Sequence, residues 1–267
     1  MKRILYAADY SENGISAFQY AINLSEKLKA GLFALHVFNK DRAEPAEGQY
    51  QKLVDFCKEH YDGDLNKADI NFDVVEDKSI INGIITKANK INAHLIITGS
   101  KSKTTVKKLL LGNTVESLIV KSPCPILTIP SSLEIKKINT IVYASDFEGK
   151  DLNAIYYLVK LVKPDHPAIR IVHISRRKEY KGDEQMRWFM ELLEEKIAYP
   201  NIDAEVVFAD NIFNSLKTYL AHKNADMLVM LERDSKGLMK KLFHDDLVKK
   251  MESLGNIPLL SFNENRL

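Results

Sequence analysis

Short apolar runs alternate with longer amphipathic segments along the first half of the chain. The runs are too short for buried helices, whereas the segments between them repeat apolar residues at helical spacing. The predicted strands are 4–8, 32–38, 71–75, 95–98 and 126–129, and the predicted helices lie around 15–28, 49–60, 80–91 and from 113 onward. Strands and helices that alternate in this way favour a parallel sheet covered on both faces. The expected fold class is therefore α/β, with a doubly wound, Rossmann-like layer.

An internal repeat extends this fold over the second half of the chain. The segment KRILYAADYSENG returns as NTIVYASDFEGKD, and LHV at 35–37 returns as VHI at 172–174, both at a spacing of 137. Further on, VKKLLLGN returns as MKKLFHDD and SPCPILTI returns as GNIPLLSF, at a spacing of 133. We therefore expect two tandem Rossmann-like domains, 1–132 and 133–267, each with a five-stranded parallel sheet flanked by helices.

The segment after the fourth predicted strand has the features of a phosphate-binding loop. The strand ends in a turn at Gly99, and a second glycine, Gly112, stands just before a helix that we expect to begin near Asn113. A glycine turn and a helix N-terminus both present unpaired backbone N–H groups, which bind anions. Side-chain donors are added by Ser102, Asn113 and Thr114. The alternative is an ordinary glycine turn followed by a capped helix.

The spacing of these residues resembles the ATP-binding signature of the universal stress proteins. That pattern is glycine, two residues, glycine, nine residues, then glycine with serine or threonine, followed by a Pro-Cys-Pro strand. Gly99, Ser102, Gly112 and Asn113 keep the spacing, and the segment SPCPIL from 122 to 127 keeps the ending. Here Ser102 stands in place of the second glycine, and Asn113 stands in place of the hydroxyl residue.

This resemblance implies a function and a set of ligand contacts. It implies a tandem member with the adenine nucleotide α-hydrolase-like fold, whose first domain binds ATP or another adenine nucleotide, with Mg²⁺, and acts as a stress-response switch on a protein partner. By the resemblance, Val37 lines the adenine, Gly99 and Ser102 contact the ribose and phosphates, and the phosphates are held by Gly112, Asn113, Thr114 and Val115. Asp9 either contacts the adenine or caps the turn after the first strand, and both alternatives stay open.

The resemblance also bears on assembly. In the resembling family the final strands pair across a dimer, so the two copies here are expected to form an intramolecular pseudo-dimer, with a homodimer as the further alternative. Strands 126–129 and 259–262 are the segments concerned.

The second copy differs at the positions that matter for phosphate. At a spacing of 133, the counterparts of the four loop residues are Glu232, Ser235, Asp245 and Asp246. Carboxylates repel a polyphosphate, and the loss of both glycines removes the close approach to the backbone. We therefore expect no nucleotide in the second domain, and the acids show no convincing metal-ligand spacing.

Composition narrows the range of partners. The net charge is +2, with 45% hydrophobic and 28% charged residues, which provides no broad basic surface for nucleic acid or a membrane. No run approaches the roughly 20 apolar residues of a membrane span. Cys57 and Cys124 match neither a disulfide framework nor a metal site, so a reducing cytoplasm is the expected location.

Three functions remain to be compared. The first is the nucleotide-dependent switch, and the second is a nucleotide-free scaffold in which both sites have decayed. The third is a slow ATP hydrolase, for which the loop offers neither a base nor an arginine finger. No set of nucleophile, base and acid emerges from the histidines, so we expect a binding protein with no catalytic residues and no metal site.

Overall fold

Two compact units, Met1–Ile135 and Lys136–Leu267, make up the chain. The computed structural model describes residues 2–39, 46–65, 67–100, 112–131, 133, 136–176, 183–233, 254 and 257–267. For residues 46, 112–114 and 183 it describes the backbone alone.

The first unit alternates strands and helices as its hydrophobic pattern predicts. Its strands are β1 Arg3–Ala8, β2 Gly31–Phe38, β3 Ile70–Glu76, β4 Leu95–Gly99 and β5 Ile126–Ile129. Its helices are α1 Glu12–Leu28, α2 Ala46–Glu59, α3 Ile80–Lys90 and α4 Gly112–Lys121. All neighbouring strands run parallel, in the order β3-β2-β1-β4-β5. The predicted α/β fold class is confirmed.

Local signals explain where α1 begins and ends. Ser11 is the N-cap, and its side chain accepts a hydrogen bond from the backbone N–H of Gly14. At the other end Lys29 adopts the left-handed conformation with φ 50°, and its N–H bonds to the carbonyls of the last turn. The buried residues of α1 share one face and pack against β1, β4 and β5.

The second unit repeats the same architecture. Its strands are β6 Thr140–Ala144, β7 Ala168–Ser175, β8 Ile202–Phe208, β9 Met227–Glu232 and β10 Leu259–Asn263, in the parallel order β10-β9-β6-β7-β8. Its helices are α5 Gly149–Val162, α6 Asp183–Lys196 and α7 Ile212–His222, followed at the end of the chain by a short 3₁₀ turn, Glu264–Arg266. The repeat also predicts a last helix around 246–254, and this segment lies outside the described residues, apart from Leu254.

Strand register defines which residues of the two units are equivalent. The spacing is 137 from β1 and β2 to β6 and β7, then 132 from β3 and β4 to β8 and β9, and 133 from β5 to β10. Thr98 pairs with Ala7 as Met230 pairs with Ala144, so the counterpart of Gly99 is Leu231.

The predicted equivalence of Gly99 and Glu232 is therefore wrong by one residue. The deletion in the second unit is five residues before the third strand, and one residue is regained after the fourth. A repeat spacing read from matched segments does not locate such compensating changes, whereas the register of hydrogen-bonded strands does. A buried leucine, not a carboxylate, replaces Gly99 at the end of the strand.

Both units enclose a matching group of aromatic rings beside the second strand. In the first unit Tyr10 lies 4.4 Å from the His36 ring and 5.4 Å from the Phe56 ring, between ring centroids. In the second unit Phe147 lies 5.3 Å from the His173 ring and 5.3 Å from the Phe189 ring. Tyr10 and Phe147 both have φ 56°, a left-handed conformation that places the ring directly after the first strand.

Asp226 anchors the start of the second unit. Its Oδ2 atom accepts hydrogen bonds from the N–H groups of Asn139 and Thr140 at 2.8 and 3.0 Å, and its Oδ1 atom lies 2.7 Å from the Lys136 ammonium. Burial opposes ionisation of this carboxyl, but Lys136 and the two N–H groups together hold its pKa below the ordinary value. The charge of Asp226 thus orients the chain as it enters β6.

We expect Asp226→Asn to lower the free energy of unfolding by about 1–2 kcal/mol at pH 7, because the variant loses its charge-assisted bonds. The folded-state pKa of Asp226 lies below the unfolded value of about 3.9, so its contribution is complete above that value. The difference between the proteins should shrink as the pH falls through the folded-state pKa. Urea unfolding at several pH values measures this.

Asp203→Asn is the matched control, because Asp203 pairs with Arg170 at a site where its carboxylate is 57% exposed. The free energy of unfolding of Asp203→Asn should fall by less than about 0.5 kcal/mol. Equal losses for the two variants would contradict the anchoring role of Asp226.

Candidate functional site

The candidate site lies where β1 and β4 end side by side. β1 pairs with β2 on one side and with β4 on the other, so the strand order reverses direction here. Ligands of open α/β sheets bind outside the carboxyl ends of the strands at such a switch point. Asp9 follows β1, Val37 lies near the end of β2 and Gly99 ends β4. Three of the residues predicted from the sequence are thus at one edge of the sheet.

Asp9 stabilises the turn that leads from β1 into α1. Its Oδ1 atom accepts hydrogen bonds from the Ser11 hydroxyl at 2.6 Å and from the Ser11 N–H at 3.1 Å. The same hydroxyl accepts a bond from the N–H of Gly14 at 3.1 Å. A Cβ atom on Gly14 would lie 2.6 Å from the Asp9 carboxylate, so a larger residue there would have to displace that carboxylate. Of the two alternatives for Asp9, the geometry supports the capping role directly.

Gly99 is in close contact with the first turn of α1. A Cβ atom at this position would lie 2.7 Å from the backbone carbonyl carbon and oxygen of Asn13. Real Cβ atoms do not approach backbone so closely, so α1 packs on the end of β4 only if residue 99 is glycine. Packing alone accounts for Gly99, and its contact with a ribose or phosphate stays a prediction.

Val37 provides an apolar wall and is itself held tightly. Its side chain is buried, and a Cβ atom on Gly83 of α3 would lie 2.6 Å from the Val37 Cγ1 atom. The bare backbone of Gly83 therefore sets how far Val37 reaches toward α3. The predicted contact of Val37 with adenine is compatible with this position and is not tested by it.

Tyr10 is a site residue that the sequence reasoning missed. Its hydroxyl is buried and has no hydrogen-bond partner among the described residues. The ammonium of Lys52 lies 4.9 Å from the centre of the ring, and burial raises the pKa of the phenol well above its ordinary value. A buried, unpaired hydroxyl is costly, and it stands beside the crevice. The Asp-Tyr-Ser run directly after a strand was the available signal.

His36 is held by the end of β1. Its Nδ1 atom lies 3.0 Å from the carbonyl oxygen of Ala8, and since a carbonyl only accepts, the Nδ1 atom must carry the proton. Burial lowers the pKa of His36, which favours the neutral ring. His173 makes the same bond to the Ser145 carbonyl at 2.8 Å. These histidines are shared structural elements of both units.

The helix that follows the predicted loop begins at the same edge. α4 starts at Gly112, one residue before the predicted start, and Val115 is buried on its inner face. Ser102 lies outside the described residues, as do the side chains of Asn113 and Thr114, and Gly112 is described by its backbone. The predicted phosphate contacts of these residues therefore stay predictions. The N-terminus of α4 carries no acidic residue in its first turn, which suits an anion.

A comparison with known proteins shows which family the first unit resembles. Residues 1–130, nearly the whole of that unit, match the family model described as the universal stress protein family. A universal stress protein of Methanocaldococcus jannaschii is 28% identical over 139 residues, which are 48% of this chain and 81% of that protein. The stress response protein NhaX of Bacillus subtilis is 38% identical over 63 residues, or 24% of this chain and 37% of that protein.

Solved structures extend the likeness to both units. A universal stress protein from Archaeoglobus fulgidus DSM 4304 has a TM-score of 0.70 at 16% identity, covering 98% of each chain. A putative universal stress protein from Pseudomonas aeruginosa has a TM-score of 0.64 at 14% identity, covering 98% of this chain and 93% of that one. At such identities the likeness shows the fold, and the fold is the tandem Rossmann-like one predicted.

The part of the chain that the structure describes forms neither a membrane-spanning helix nor a cluster of metal ligands. No helix there combines the length and hydrophobicity needed to cross a membrane. Nor do these residues bring together three or more histidine, cysteine, aspartate or glutamate side chains as metal ligands.

Gly99→Ala should lower the free energy of unfolding by about 1–3 kcal/mol, since the added methyl group meets the backbone of Asn13. Gly48→Ala is the matched control, because an added Cβ atom in α2 meets nothing within 4 Å. Alanine favours helix there by up to about 1 kcal/mol. Urea unfolding compares the two. A stable Gly99→Ala protein would mean that α1 does not pack as described.

Tyr10→Phe should raise the free energy of unfolding of the ligand-free protein by about 1 kcal/mol, because it removes a buried hydroxyl that has no hydrogen-bond partner among the described residues. Phe147 shows that a phenyl ring is accommodated in the equivalent place. Tyr6→Phe is the control, because the Tyr6 hydroxyl donates to the Gly14 carbonyl at 2.8 Å, and its removal should destabilise. Thermal unfolding measures both variants. A similar loss of stability in Tyr10→Phe and Tyr6→Phe would mean that the Tyr10 hydroxyl does have a hydrogen-bond partner.

Proposed function

We propose that the first domain, 1–132, binds ATP or another adenine nucleotide and that the protein acts as a nucleotide-dependent stress-response switch. The observation that carries this proposal is the match to the universal stress protein family, which spans the unit that contains the two-glycine loop. The names of the two relatives also refer to stress: one is a universal stress protein and the other a stress response protein.

The geometry of the first unit supports a nucleotide at the switch point. Val37 offers an apolar surface, and the Tyr10 hydroxyl offers a buried polar group whose hydrogen bonding is not satisfied within the described residues. The N-terminus of α4 offers backbone N–H groups of the kind that hold phosphate. Mg²⁺ would enter with the triphosphate, since the described residues contain no cluster of metal ligands.

Bound nucleotide would act by favouring one of two states of the first domain. A ligand shifts such an equilibrium only by its difference in affinity for the two states. The readout would be a protein partner that distinguishes the two surfaces. The cytoplasmic location expected from the cysteines belongs to the same proposal.

One observation favours a different function, a nucleotide-free scaffold. Gly14, Gly83 and Gly99 are each explained by close contacts within the protein, with no need of a ligand. Under this alternative the two units serve only as a surface for a partner. The two functions make opposite predictions for nucleotide binding.

ATP with Mg²⁺ should raise the unfolding temperature of the wild-type protein by a few degrees at about ten times its Kd. Gly112→Asp should abolish this shift, because a carboxylate at the start of α4 repels the phosphates. Gly149→Asp is the matched control: it places the same charge at the first residue of α5, where a Cβ atom meets nothing within 4 Å.

Differential scanning fluorimetry with millimolar nucleotide gives the result, and analysis of the supernatant of heated protein shows whether adenine nucleotide is carried through purification. Absence of both the shift and the carried nucleotide would reject the switch in favour of the scaffold. Loss of the shift in Gly149→Asp but not in Gly112→Asp would mean that the nucleotide binds to the second unit, and it would contradict the proposal.

A further inference from the structure

Arg233 lies at the switch point of the second unit, where β6 and β9 end side by side. It directly follows β9, and its side chain is buried. Its Nη1 atom lies 2.7 Å from Oδ2 of Asp146, which is the residue matching Asp9, and its Nη2 atom lies 2.8 Å from Oδ2 of Asp151 in α5. Its Nε atom is 3.5 Å from Glu148. One guanidinium thus joins the residues after β6, the first turn of α5 and the end of β9.

Asp151 is the buried centre of this cluster. Its side chain is 0% exposed. Besides Arg233, its carboxylate accepts hydrogen bonds from the Tyr143 hydroxyl at 2.8 Å, the Ser145 hydroxyl at 3.0 Å and the Glu148 N–H at 3.1 Å. A carboxylate so deeply buried needs such partners to replace its contacts with water, and the guanidinium is the cationic one.

The first unit has a different arrangement at the same place. The counterpart of Asp151 is Gly14, which lacks a side chain, and the Tyr6 hydroxyl bonds to its carbonyl at 2.8 Å. Tyr143, the counterpart of Tyr6, bonds to the Asp151 carboxylate in its place. The second unit therefore has a buried carboxylate where the first unit has a glycine, and the guanidinium of Arg233 lies against that carboxylate.

We propose that Arg233 is a built-in occupant of the second unit's crevice, which closes this site to exchangeable ligands and holds α5 against β6 and β9 without any ligand. The guanidinium supplies the bonds that connect the two strand ends, and it cannot dissociate because it is part of the chain. This inference goes beyond the proposed function, and its test uses no nucleotide.

The experiment can follow the second unit by itself. Trp188 is the single tryptophan of the chain and lies on α6, so its fluorescence reports unfolding of that unit. Arg233→Ala should lower this unfolding temperature by about 10 °C, because it strands the buried Asp151 charge. Arg170→Ala is the matched control, since it removes an arginine whose partner Asp203 is largely exposed, and it should cost about 2 °C or less.

A small cation then tests whether Arg233 is an occupant. Methylguanidinium at about 20 mM should raise the unfolding temperature of Arg233→Ala, relative to the same concentration of NaCl, by entering the vacated space. It should not raise that of the wild type or of Arg170→Ala. The double variant Asp151→Gly with Arg233→Ala removes both buried charges, restores the first unit's residue at 151 and should recover most of the loss.

Several results would overturn the proposal. One is a fall in the unfolding temperature of Arg233→Ala that is no greater than that of Arg170→Ala. Another is that methylguanidinium fails to raise the unfolding temperature of Arg233→Ala, or raises it equally in all three proteins. If Arg233→Ala does not fold, the double variant decides: recovered folding supports the proposal, and failure to fold rejects it.

Discussion

Each unit depends on how the first turn of one helix is held against the ends of two neighbouring parallel strands. In the first unit Asp9 and Ser11 orient this turn by hydrogen bonds, and Asn13 packs its backbone on Gly99. The turn, the strand ends and the crevice share the same small space. Whatever holds the helix therefore also decides whether a ligand can enter.

The two units hold that helix by different means. The first relies on close backbone contact and on the hydrogen bonds of Asp9 and Ser11, and the Tyr10 hydroxyl beside them has no hydrogen-bond partner among the described residues. The second uses the Asp151 carboxylate and the Arg233 guanidinium, which satisfy each other at a cost in desolvation.

Most of the fold was predictable because strands and helices leave a local, periodic record in the sequence. The positions of β1, β4 and α4 followed from apolar runs and glycines, and the repeat followed from matched segments. The predicted equivalence of Gly99 and Glu232 was wrong because a single spacing of 133 hides a deletion of five residues and a later insertion of one. Tyr10 and Arg233 were missed because their importance comes from neighbours that are distant in the sequence.

The sequence by itself determined the class of fold, the duplication and the family that the first unit resembles, since all three depend on short-range pattern and motif spacing. Only the tertiary structure decided why Gly99 must be glycine and which residue of the second unit replaces it. It also decided that three acids of the second unit surround a single arginine. The reason is physical: burial, strand register and charge pairing are properties of packed neighbours, and the chain order does not record which residues become neighbours.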